Sequence, residues 1–108
     1  MRLWDDRYVV MTRGDTMSFG MEIEGLDQDL DTAYFTCKRN HEELPVFVKS
    51  LGDGITKRDT GKYVVRIAPE DTEQLDVGKY YYDLEIGANG DVFTILKGIL
   101  ELERDVTL

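Results

Sequence analysis

What is scarce in this chain narrows it first. Its 108 residues hold one cysteine, two prolines, one histidine and one tryptophan. A single thiol, Cys37, can form no internal disulfide, and no histidine sits at motif spacing to activate it. A buried, inert sulfur is the expected state. Basic residues are short as well: 13 Lys and Arg stand against 22 Asp and Glu, a net charge of −9. Phosphate backbones and anionic lipid surfaces are bound by a basic surplus, so neither nucleic acid nor membrane is an expected partner. No apolar run approaches the roughly 20 residues that cross a bilayer. The opening residues, Met1-Arg2-Leu3-Trp4-Asp5-Asp6-Arg7, carry acids where a secretory signal carries its apolar stretch. The chain is therefore expected in the cytoplasm, at least until a lysis or assembly step.

Catalytic vocabulary is equally thin. The lone His41 lies in the polar run Asn40-His41-Glu42-Glu43 and reads as a solvated loop side chain. There is no Gly-x-Ser-x-Gly elbow and no glycine-rich loop ahead of a helix. The carboxylates are many but scattered, whereas acid–base catalysis needs a pair whose environments split their pKa values. No catalytic residue and no cofactor is expected, and the chain reads as a non-enzyme.

What the sequence does have is alternation. Met17, Phe19, Met21 and Ile23 recur at period two against Ser18, Gly20, Glu22 and Glu24, the signature of a half-buried strand. Tyr8–Thr12, Ala33–Lys38, Val46–Leu51 and Tyr63–Ile67 read the same way, and Ile55 is expected to pair only briefly. Turns fall at Arg13-Gly14-Asp15, Gly52-Asp53-Gly54 and Asp59-Thr60-Gly61. Pro69–Leu75 is the one helical candidate, with proline first and acids behind it. Turn signals every 8–12 residues or so predict an all-β chain: one immunoglobulin-like antiparallel sandwich domain of about seven strands, spanning residues 1–108.

The organising stretch is Leu75–Ile86. Tyr80, Tyr82, Leu84 and Ile86 point one way, Lys79, Tyr81, Asp83 and Glu85 the other. Gly78 allows a tight turn ahead of Tyr80, which fits a tyrosine corner, a hydroxyl folded back onto upstream backbone. Asn89-Gly90 then predicts a two-residue type I′ hairpin. That register sets Ile86 opposite Phe93, Leu84 opposite Ile95 and Tyr81 opposite Gly98. It also sets Tyr82 opposite Lys97, a conflict that a bulge near Lys97-Gly98 would relieve. Gly78, Tyr80, Asn89 and Gly90 are thus read as fold determinants.

Candidate sites are few. Asp27, Asp29 and Asp31 alternate in a loop and could converge on calcium, though the EF-hand pattern fails; a solvated acidic turn is the plainer reading, so no metal is expected. Arg13-Gly14-Asp15 matches an integrin-binding tripeptide but reads as a turn. Trp4, Tyr34 and Tyr81 are the aromatics left over for stacking on a sugar. Leu96 and Leu100 fall on the Tyr81 side of the last strand, so Tyr81, Leu96 and Leu100 are the expected interface, on a possible sheet edge.

Thr12-Arg13-Gly14-Asp15-Thr16 through Phe19, Ile55-Thr56-Lys57, Gly61-Lys62-Tyr63 and Leu75–Leu84 resemble small tail or baseplate proteins of bacteriophages and prophages. The N-terminal β-sandwich of upper baseplate proteins is the nearest pattern, over roughly Thr12–Glu103. Those proteins continue into a helical or fibre-forming part with no counterpart here. The resemblance implies a stand-alone tail, baseplate or decoration adaptor, in the host cytoplasm during assembly and then in the virion. Its implied partners are other virion proteins or copies of itself, in a homo-oligomer. The alternative reading is a binding module for a cell-surface carbohydrate or calcium.

Overall fold

The computed structural model describes residues 8–26 and 28–105. Its strands are β1 (Tyr8–Thr12), β2 (Met17–Glu22), β3 (Thr32–Lys38), β4 (Phe47–Leu51), β5 (Gly54–Asp59), β6 (Lys62–Ile67), β7 (Gly78–Ala88) and β8 (Asp91–Glu103). One short helix, α1 (Pro69–Thr72), lies between β6 and β7. The all-β expectation holds. β5 is longer than the brief pairing expected at Ile55, because Thr56, Lys57 and Asp59 also pair with β6 although only Ile55 is buried.

The hydrogen-bonded order is β1-β8-β7-β3-β4-β5-β6-β2. This ribbon is doubled over. In a flat sheet β2 and β3, four steps apart, would be separated by about 19 Å. Instead the rings of Phe19 and Phe35 meet edge to face at 5.6 Å. Five strands, β1-β8-β7-β3-β4, thus face three, β5-β6-β2. The turnover runs through two parallel pairs, Ser50↔Gly54 and Leu51↔Ile55. Phe35, Leu84, Ile86 and Leu100 from the larger layer and Ile55, Val65 and Ile67 from the smaller one fill the space between. Apart from Ile55 and Leu100, these are the inner rows that period-two alternation selects, and burying them is the main favourable term in folding.

Local chemistry fixes the corners. Asp71 accepts the Ala68 N–H at 2.7 Å and its own N–H donates to the Ala68 carbonyl at 3.0 Å, which starts α1. Its carboxylate also meets Lys49 Nζ of β4 at 2.7 Å. Thr72, fully buried, accepts the Gly14 N–H at 2.8 Å and pins α1 to the β1–β2 turn. Arg13 donates to the Leu75 carbonyl and pairs with Asp105, so the Arg13-Gly14-Asp15 turn is committed to the fold. Ahead of β7 the Tyr80 hydroxyl donates to the Asp76 carbonyl at 2.7 Å, the expected tyrosine corner. Gly78 has φ 129°, and a Cβ there would come within 2.8 Å of the Arg39 guanidinium, which lies over the Tyr80 ring.

The β7–β8 hairpin turns at Asn89 (φ 56°) and Gly90 (φ 82°), as Asn-Gly predicts. Ile86 faces Phe93 as expected. The bulge, however, comes earlier than Lys97-Gly98: Glu85 pairs with Thr94 and Leu84 with Leu96, leaving Ile95 as the extra residue. One inserted residue inverts the faces of everything beyond it. Leu96 and Leu100 therefore turn inward, 6% and 1% exposed, and the expected interface loses both to the core. The same shift sets Tyr82 opposite Gly98 and Tyr81 opposite Ile99, correcting both expected pairings. Tyr82 stacks on Phe35 at 5.1 Å, across from Cys37.

Candidate functional site

With Leu96 and Leu100 inside, the outer face of the five-strand layer is written by the other parity. Its rows follow from register. Tyr8, Ile99, Tyr81 and Lys38 lie side by side across β1, β8, β7 and β3. The next row carries Lys97, Asp83, Thr36 and Val48 across β8, β7, β3 and β4. Tyr81, the one expected interface residue that stays outside, is 37% exposed. Its ring is met by His41 at 4.2 Å between centroids. The loop carrying His41 is closed by the Glu43 N–H donating to the Asn40 carbonyl and by the Asn40 amide donating to Glu43. His41 is thus held against Tyr81, a contact between distant segments that no local pattern announces.

Short side chains in the Asp83–Thr36 row, beside the taller Tyr81–Lys38 row, leave a groove. It has a volume of about 360 Å³ and is lined chiefly by Thr36, Lys38, His41, Tyr81, Asp83 and Lys97. At its edge Tyr8 donates a hydrogen bond to Glu101, and that bond to a carboxylate raises the Tyr8 pKa above its ordinary value. Lys79 lies over the Tyr8 ring. Tyr34, the other stacking candidate, is exposed on the same face opposite Glu85, outside the groove lining. Trp4 lies outside the described residues.

A second surface runs along the last strand. β1 covers β8 only from Ile99 to Glu103. Among the described residues, no strand pairs with the outer edge of Asp91–Gly98. Val92 and Phe93 on that stretch are 64% and 44% exposed. The stretch holds five uncharged residues in a row, Val92–Leu96, with Asp91 and Lys97 at its ends. Between the layers, where β1 and β8 stand over the end of β2, an apolar slot of about 340 Å³ opens. Leu96 and Leu100 line it from inside with Val9, Met17, Phe19 and Phe35.

Asp29 Oδ1 is 2.6 Å from Lys57 Nζ, a pairing that raises the Lys57 pKa. Asp31 is exposed, and Asp27 lies outside the described residues. No group of three or more His, Cys, Asp or Glu among the described residues could hold a metal ion. Cys37 is fully buried, and burial pushes its thiol pKa up to about 12.

No protein-family model matches the chain and no curated protein matches it. Among solved structures it is similar to CopC from Methylosinus trichosporium OB3b, with a TM-score of 0.60 and 12% identity over 99% of this chain and 97% of that one. It is also similar to the swine CD8aa homodimer, with a TM-score of 0.56 and 12% identity over 92% and 95% of the two chains. Both neighbours are immunoglobulin-like sandwiches, and that fold is what this chain shares with them.

Proposed function

We propose that this immunoglobulin-like domain is a non-enzymatic structural and interaction protein of a phage or prophage particle. It serves as a tail, baseplate or decoration adaptor and works through contacts with other virion proteins or with copies of itself. The particle setting comes from the sequence resemblance around Gly14-Asp15-Thr16 and Leu75–Leu84. The contact reading is carried by one observation: the edge of β8 that no strand pairs with among the described residues, with exposed Val92 and Phe93. An open edge rich in β-branched and aromatic residues, free of proline and charged only at its ends, is a template for another strand. A stable assembly buries such an edge against a partner. That a fold neighbour is described as a homodimer agrees with self-association.

The test is size-exclusion chromatography with light scattering on the intact chain and on a Val92→Lys, Phe93→Lys variant. The expected result is a discrete oligomer for the parent and a monomer of equal melting temperature for the variant. A parent that is monomeric at every concentration overturns self-association. The particle setting fails if purified particles from the producing host lack the chain.

A further inference from the structure

We infer that the outer-face groove is a binding site for an anionic sugar. This goes beyond the protein-contact reading and uses neither Val92 nor Phe93. The groove is an open depression of about 360 Å³, within the size range of small-ligand sites. Tyr81 and His41 give it an aromatic wall, their rings 4.2 Å apart and tilted by 33°. The Asn40–Glu43 turn holds that wall in place before any ligand arrives, so little ordering cost remains for binding. A sugar ring has an apolar C–H face and a polar rim. The aromatic wall suits the first, and the Thr36 hydroxyl, the Asp83 carboxylate and the two lysines suit the second.

Charge selects among sugars. The chain as a whole has nine more acidic than basic residues. The groove reverses that balance, with Lys38 and Lys97 against Asp83 alone. Asp83 stands opposite Lys97 in the register, which leaves Lys38, beside Tyr81, as the cation best placed for an incoming carboxylate. Charge-assisted hydrogen bonds are roughly twice as strong as neutral ones, so a single acid group on the ring is the favoured addition. A polyphosphate would bring more negative charge than two lysines offset in so acidic a molecule. A purely apolar ligand would leave Lys38 without a partner.

The experiment is a nitrogen-15 NMR titration of the full chain with glucuronate, glucose and acetate as probes. Glucuronate is expected to move the Thr36, Tyr81 and Lys97–Ile99 amides, glucose to move them more weakly, and acetate to leave them in place. The Lys38→Gln, Lys97→Gln variant is expected to bind glucuronate about ten-fold more weakly while keeping its response to glucose. Tyr81→Leu removes both responses; if that variant fails to fold, His41→Ala gives the same reading. Val92→Lys, Phe93→Lys leaves the titration unchanged, which separates this site from the edge contact. The inference is overturned if glucuronate moves no groove amide, if acetate alone reproduces the shifts, or if the lysine substitutions leave glucuronate binding intact.

Discussion

The Tyr80 hydroxyl lies 2.7 Å from the Asp76 carbonyl oxygen, so the first core residue of β7 also anchors the crossing that delivers the chain to it. Tyr80→Phe keeps the buried ring and its contact with the Arg39 guanidinium and removes only the hydroxyl. A hydrogen bond of this kind is worth about 1 kcal/mol net. The expected fall in melting temperature is about 4–8 °C, read by circular dichroism. A drop below a degree would mean that water replaces the hydroxyl at no cost.

Alkaline stability should depend on Cys37. Its folded pKa is raised from 9.0 to about 12. A raised value means that the folded state keeps the proton after the unfolded chain has lost it. Stability is therefore whole below pH 9 and falls as pH rises from 9 toward 12, by up to about 1.4 kcal/mol per pH unit. Urea titrations across that window should show the loss, and Cys37→Ala should flatten the pH dependence while lowering stability at every pH. The native thiol should also resist a thiol reagent at pH 8 and react on unfolding.

Gly87 is required by a neighbour and not by backbone conformation. A Cβ there would stand 2.4 Å from Thr32 Oγ1, its partner in the β3–β7 ladder. Gly87→Ala should cost about 1–3 kcal/mol through overpacking. Thr32→Ala removes the oxygen and leaves the nearest side-chain atom at 3.6 Å, an ordinary contact. The double variant should recover most of the loss in a denaturant melt; strict additivity of the two changes would show that the strain lies elsewhere.

Lys49 and Asp71 join β4 to α1 with both side chains about seven-eighths buried, at 12% and 13% exposed. Asp71 also starts the helix by accepting the Ala68 N–H. Asp71→Ala should therefore destabilise more than Lys49→Met, by about 1–3 kcal/mol against about 1. A double-mutant cycle should give a coupling above about 0.5 kcal/mol. Equal losses from the two substitutions would show that the helix start contributes nothing beyond the ion pair.

Much of this fold was legible because its signals are local. Asn89-Gly90 dictates the hairpin turn, Gly78-x-Tyr80 the corner, and Met17–Ile23 its own inner row. The bulge is not legible in the same way. Ile95 is an ordinary β-branched residue, and nothing in its neighbourhood marks an insertion. Gly98 looked the better bulge but instead stands opposite Tyr82. Because strand faces alternate, that single extra residue decides whether Leu96 and Leu100 face core or surface. β5 beyond Ile55 leaves little trace in the sequence because Thr56, Lys57 and Arg58 bury nothing; their place is set by pairing to β6, a long-range fact. His41 is exposed, as its polar run suggests, but its contact with Tyr81 joins residues 40 positions apart and no local pattern marks it. Of the expected interface, Tyr81 alone was placed on the right face.

The passage from one layer to the other rests on two rungs, Ser50↔Gly54 and Leu51↔Ile55, while the β7–β8 ladder has eleven paired positions. Under load a ribbon parts where its rungs are fewest. A domain of this build loosens first along β4–β5, each layer keeping its own hydrogen bonds while the buried rows between them hold the two together. Amides at Ser50–Ile55 would then trade hydrogen with solvent well before those of β7, giving the molecule a spine that yields between two boards that do not.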